Sequence, residues 1–320
     1  MCLNVPSKYI DPFTDFGFKH IFGNEENKVL LISFLNDLLE IEDKIVDITY
    51  RNLEKLGLSI IDRRAIFDVY CTDEKGNNFI VELQRSKQKY FKDRSIYYTS
   101  FPIQEQSEKG TWDYHLEKVF FVGILEFSMD DSSNNYLTKV QLCDMESKEV
   151  FYDKLTYYYI EMPKFKKKEE ELSTHLEYWM WYLNNLVTLE EIPQKLKEDK
   201  LLKQAFDVAK FLALNKDEQL AYQLDLKAKL DYQNVMDYAR EYAKEQGREE
   251  GREEGIKEGI KEGREEGIKE GEIKGEKKGL EQGEKNKAIE IAKKLLDILD
   301  IETISLKTDL TIEEIKKLKK

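Results

Sequence analysis

Two carboxylates and an amide stand where apolar residues are expected: Asp68 within AIFDVYC, and Glu82 and Gln84 within FIVELQ. Acidic side chains are rare in the middle of apolar strands unless a partner compensates their burial. Between the two runs lies Thr72-Asp73-Glu74-Lys75-Gly76-Asn77, a turn signal with glycine near its end. If Glu74-Lys75-Gly76 forms a hairpin loop, Gly76 supplies the left-handed residue such loops need. Asp73 then faces Asn77, and counting back along both strands sets Asp68 opposite Glu82. Opposed residues share a sheet face, with Cβ atoms about 4.5–5.5 Å apart. Gln84 falls on that face by the two-residue alternation of a strand, whereas Phe67, Val69, Val81 and Leu83 are expected to turn the other way, into the core. A register slip of a single residue would separate the two acids.

Carboxylates this close repel, and one of them holds a proton unless a cation sits between them. An all-oxygen site suits Mg²⁺ or Mn²⁺ rather than zinc. Such an ion keeps part of its water shell, can turn one water into a nucleophile, and can neutralise charge on a phosphate. Gln84 cannot take a proton, so its amide would orient water or bind phosphate. A solvated hairpin face is the competing explanation, and the residues alone leave both open.

The elements around this hairpin read as α/β. Residues 27–39 set Val29, Leu30, Phe34, Leu35 and Leu38 on one helical face. Residues 46–53, 65–71 and 79–84 read as strands. Residues 90–106 read as a helix that Pro102 is expected to kink or end early. The apolar run KVFFVGIL, residues 118–125, suits a central strand covered on both faces. Two further strand-like stretches follow within residues 136–160, and the KFKKK run closes the unit. This order predicts an α/β sandwich on a mixed sheet, followed by an all-helical C-terminal region.

Beyond it, residues 169–245 carry helical, aromatic-rich periods, including Trp179, Trp181, Tyr182 and Phe206. From Gly247 to Gly283 every fourth residue is glycine. Each glycine costs a helix about 1 kcal/mol against alanine. A solvated, partly frayed linker is the preferred reading, with a close-packing pairing helix as the alternative. Residues 286–320 regain apolar periodicity, and Thr311-x-x-Glu314 fits a capping box. A small oligomer-docking bundle is preferred there over a helix-turn-helix-like unit. The expected divisions are an α/β domain over 1–168, a helical domain over 169–245, the repeat over 246–285 and a helical tail over 286–320.

Composition narrows the function classes. The chain has 320 residues, 41% of them hydrophobic and 36% charged, with a net charge of −13 that argues against a uniformly basic nucleic-acid-coating surface. Its three cysteines and three histidines are scattered, which predicts neither a disulfide framework nor a zinc site. No signal segment and no run long enough to span a bilayer is visible, so a cytoplasmic protein with no membrane partner is expected.

Four blocks taken together resemble a known family: Asp15-Phe16-Gly17-Phe18-Lys19-His20-Ile21-Phe22, then Phe67-Asp68-Val69, Val81-Glu82-Leu83-Gln84-Arg85 and Arg94-Ser95-Ile96-Tyr97-Tyr98. The set, across residues 10–168, is similar to the Rpn family of recombination-promoting, transposase-like nucleases, in the PD-(D/E)xK variant with glutamine for the usual lysine. The resemblance implies a PD-(D/E)xK restriction-endonuclease-like core and Mg²⁺-dependent (or Mn²⁺-dependent) DNA endonuclease activity linked to recombination or mobile DNA. It implies Asp68 and Glu82 as metal ligands, joined by the Leu83 carbonyl, and Gln84 in the catalytic set. It also implies that Arg94 and Tyr98 face the site from the following helix; Arg85, Lys87, Lys89 and Lys92 could touch phosphates, but a solvated basic face is the commoner explanation for these four. Asp15 and Lys19 match the first block without an assigned role. A homo-oligomer through the C-terminal helices is expected. The rival is a non-catalytic DNA-binding or assembly protein derived from a nuclease fold.

Overall fold

The computed structural model describes residues 7–55, 65–107, 113–130 and 133–319. The wholly buried strand β6 (Val119–Leu125) is flanked in parallel by β5 (Asn78–Gln84) and β8 (Val150–Glu161). Beyond β5, the strands β4 (Val69–Asp73) and β1 (Ile48–Tyr50) add antiparallel; beyond β8, β7 (Leu137–Cys143) does the same. The sheet order is β1-β4-β5-β6-β8-β7, a mixed sheet. The expected strand over residues 65–71 is interrupted: β3 (Ala65–Ile66) leaves the main sheet and pairs with β2 (Glu54–Lys55) in a separate ribbon.

Helices cover both faces. One face carries α1 (Asp15–Phe22), α2 (Lys28–Leu38), α4 (His175–Asn185) and α6 (Lys200–Val208), joined in one core by Phe22, Phe34, Trp179 and Phe206. In α2 the buried face is Leu30, Leu31, Phe34, Leu35 and Leu38, and Val29, expected on that face, is exposed. The other face carries α3 (Phe91–Glu105), which continues through Pro102 rather than ending there. Packing offsets the local cost of that proline. Phe91 is buried against Phe121 and Tyr159. The Ser95 and Thr99 hydroxyls, one helical turn apart, meet those of Tyr159 and Tyr157 at 2.7 and 2.8 Å.

The helices after residue 168 share this core, so they do not stand apart as the expected separate body. The first unit runs to Gln233. It takes in the short α5 (Gln194–Glu198) and the start of α7 (Lys216–Leu295). The Asp11 amide donates to the Tyr222 hydroxyl at 2.8 Å, and the Lys229 ammonium lies 2.9 Å from Asp11 and 3.0 Å from Glu126. Burial of that lysine is tolerable because two carboxylates meet it.

The second unit runs from Asn234. Its glycine repeat is helical throughout, which overturns the frayed-linker expectation. A Cβ placed on any glycine from Gly247 to Gly283 would meet nothing within 4 Å. Surface pairs such as Glu270–Lys274, at 3.0 Å, return little of the glycine cost. The end of α7 packs with α8 (Ile301–Thr308) and α9 (Ile312–Leu318) around Ala292, Ile304, Leu310 and Ile315. The Thr311/Glu314 capping box forms as the spacing predicts. No helix among the described residues is long and apolar enough to cross a membrane.

His175 joins three of the first unit's helices. Its Nδ1 bonds Asp37 of α2, and its Nε2 lies 2.9 Å from Asp199, the N-cap of α6. The bond to Asp37 leads in raising the imidazole above its ordinary value, against the opposing effect of burial. A raised folded-state histidine contributes stability in full below the unfolded value of about 6.5 and loses it as pH climbs through the folded value. Thermal melts of wild type and His175→Asn should therefore differ most at pH 6 and converge as the pH is raised. A gap that holds constant up to pH 9 would contradict this.

Candidate active site

The hairpin forms with the register that the turn predicts. Gly76 takes a φ of 86°, and the Asp73 amide donates to the Asn77 carbonyl at 3.1 Å. The Asp73 carboxylate fixes the turn further by accepting from the amides of Lys75 (3.0 Å) and Asn77 (2.8 Å). The ladder then runs from Thr72↔Asn78 to Val69↔Val81, which brings Asp68 opposite Glu82.

Asp68 sits at a bend immediately before β4, and the two acids are cross-bonded through the main chain. The Leu83 amide donates to the Asp68 carboxylate at 2.7 Å, and the Asp68 amide donates to the Glu82 carboxylate at 3.1 Å. Amide and carbonyl of one strand residue point the same way. The Leu83 carbonyl therefore faces the edge that Asp68 occupies. The bend also corrects one expectation: Phe67 packs with Tyr70, Tyr98 and Phe101 on the α3 side, while Val69, Val81 and Leu83 do face the opposite core. Alternation fails at Phe67 because the chain leaves the strand there.

Glu82 and Gln84 are buried and Asp68 is half-buried. Burial, then the charge of Asp68, pushes the Glu82 carboxyl well above its ordinary value. Burial also raises Asp68, opposed by the Leu83 amide and reinforced by Asp15. Lys19 and Arg94 pull both acids down again, so α1 and α3 each turn a cation toward the pair. Asp15 and Lys19 form an ion pair at 2.8 Å, and both line a cavity of about 530 Å³ together with His20, Asn24 and Asp225. Asp225, from the start of α7, accepts from the Phe16 amide at 2.8 Å and so steadies the first turn of α1.

Gln84 is engaged at both ends of its amide. Its oxygen accepts from Arg94, and its nitrogen donates to the Ser86 carbonyl at 2.8 Å. Arg94 also donates to Gln88 at 2.9 Å, and its guanidinium lies over the rings of Phe91 and Tyr98. Tyr98 is raised by burial and then by Glu82, which places it beside the same pair. Of the basic residues after β5, Arg85 lies 3.9 Å from Asp225 and Lys87 donates to the Met129 carbonyl at 2.6 Å.

An acid at the bend before one strand, a hairpin and a second strand ending Glu-Leu-Gln, under a helix bearing Arg94, is a nuclease-like arrangement, and the family model described as PD-(D/E)XK nuclease family transposase matches residues 12–239. The chain belongs to this PD-(D/E)XK nuclease family. No match is found among curated proteins or among solved structures. The matched span covers the sheet, both helical layers and the first turns of α7, and so agrees with a first unit that runs well past residue 168. Members of the PD-(D/E)XK family generally use divalent metals. The donor set here fits such an ion: two carboxylates that resist sharing a buried site, and a main-chain carbonyl at the same edge. Among the described residues no group of three or more His, Cys, Asp or Glu converges to hold a metal. Mg²⁺-type sites need only one or two carboxylates, since water completes the shell.

The neighbourhood of Lys19 was available in the sequence as Asp15-x-x-x-Lys19, two charges on one turn of an otherwise apolar helix. The Gln84–Arg94 bond had no such signal, because it depends on how α3 crosses the sheet.

The acids' raised values have a stability consequence. A carboxyl raised by folding weakens the fold as pH rises above its unfolded value of about 4.3. In metal-free protein, Glu82→Gln should melt at least about 2–4 °C above wild type at pH 7, one kcal/mol being worth about that much in a unit of this size. The gap should close toward pH 4; a variant that melts below wild type at both pH values would contradict the repulsion.

Proposed function

We propose that the chain is a metal-dependent DNA endonuclease that hydrolyses phosphodiester bonds. The observation that carries this reading is the Asp68/Glu82 pair, Glu82 buried and Asp68 half-buried, cross-bonded through the main chain at the end of the hairpin ladder and raised by burial. Asp68, Glu82 and the Leu83 carbonyl would hold Mg²⁺ or Mn²⁺. When bound, the ion would acidify water and offset charge on the scissile phosphate. The protein's own part is to hold the two acids together, to keep Gln84 and Arg94 fixed beside them, and to close the back of the site with Phe67, Phe91 and Tyr98.

A role in recombination or mobile DNA, exercised in the cytoplasm, extends this proposal. So does self-association through the C-terminal helices, which a glycine-rich helix with few compensating contacts supports: a partner helix would supply the packing that the isolated helix lacks.

Supercoiled plasmid incubated with Mg²⁺ or Mn²⁺ should be nicked by wild type. Asp68→Ala and Glu82→Ala should each lower the rate by at least about 100-fold, the order of loss seen when a key electrostatic group is removed from an active site. Equal nicking by all three proteins would refute the assignment.

A further inference from the structure

We propose that Arg94 is the phosphate-binding cation of this site and that Gln84 is its positioning residue, rather than a group that orients water. The inference rests on the nuclease reading above and goes further by assigning both side chains. The Gln84 amide has one strong acceptor, its oxygen, and Arg94 uses it; its nitrogen is directed at Ser86. A second neutral acceptor, Gln88, takes a hydrogen bond from the other terminal nitrogen of Arg94. Two amides thus fix the plane of the guanidinium, and Phe91 and Tyr98 support its faces. Two of its five N–H donors are spent, and the charge is not.

That unspent charge separates Arg94 from Lys19 and Arg85. Lys19 is paired with Asp15 at 2.8 Å, and Arg85 leans on Asp225 at 3.9 Å. Among the described residues, no carboxylate lies within 4.0 Å of the Arg94 guanidinium, although its field reaches both acids. A guanidinium oriented by neutral groups beside a metal-type site offers a preset fork for two oxygens of a phosphodiester. The ligand would therefore be a phosphate ester, held by the Arg94 guanidinium beside the acid pair. A lysine at position 84 would repel Arg94, so the amide at that position and the arginine on α3 belong together.

The test is steady-state cleavage of a labelled duplex with Mn²⁺ by wild type, Arg94→Ala, Arg94→Lys, Gln84→Ala and the Gln84→Ala/Arg94→Ala double variant. Arg94→Ala should lose at least about 100-fold in kcat/KM. Added guanidinium ion should restore part of the activity of Arg94→Ala and none of that of Asp68→Ala, which separates a missing cation from a misfolded protein. Gln84→Ala should lose less than Arg94→Ala, and the double variant no more than Arg94→Ala alone, since Gln84 acts through Arg94. Arg94→Lys should be closer to Arg94→Ala than to wild type. Arg94→Ala within threefold of wild type, or independent losses for the two residues, would overturn the proposal. If wild type itself does not cleave, the nuclease reading falls, and duplex binding in Ca²⁺ across a salt series decides the inference. Removing one phosphate contact should lower the slope of log affinity against log salt by about one, and an unchanged slope would overturn it.

Discussion

The first unit is organised around an electrostatic conflict: two carboxylates, from neighbouring strands, held in one low-dielectric corner. Neither can relax away, because each accepts a main-chain amide from the other strand. The conflict is therefore built into the ladder and not into flexible side chains. A bound divalent cation would turn that repulsion into affinity, which is how a small hairpin can become a metal site without a dedicated cage.

Everything else in the unit bears on keeping that corner fixed. The buried central strand β6 holds β5 in place, and Gly123 opposite Glu82 leaves room for the Phe91 ring of α3. The hydroxyl pairs from Ser95 and Thr99 to Tyr159 and Tyr157 lock α3 over the sheet and with it the guanidinium of Arg94. On the other face, α1 is steadied at its start by Asp225, so the first turns of α7 contribute to the environment of the acids although they lie far along the chain.

The hairpin was legible because its information is local: Gly76 sets the turn, the turn sets the register, and the register sets Asp68 against Glu82. The central strand was legible from its unbroken apolar run, and the Thr311 cap from its spacing. Other features were hidden because they depend on contacts remote in sequence. Phe67 crosses to the α3 side where the strand bends, and Val29 yields its expected place to Leu31 once α2 meets its neighbours. Helices α4 and α6 join the sheet's core through Trp179 and Phe206, which periodicity alone assigned to a separate body. The glycine repeat is helical despite its poor propensity. The pattern assigns the Gln84 amide to water or phosphate, and only the placement of α3 reveals that Arg94 occupies its oxygen.

The central claim, that the opposed acids form a cation site, is tested most directly by anomalous scattering from crystals soaked in Mn²⁺. A peak bonded to both Asp68 and Glu82, absent from Glu82→Ala crystals soaked in the same way, is the predicted result. Manganese bound elsewhere, with these two carboxylates left unbridged, would contradict it.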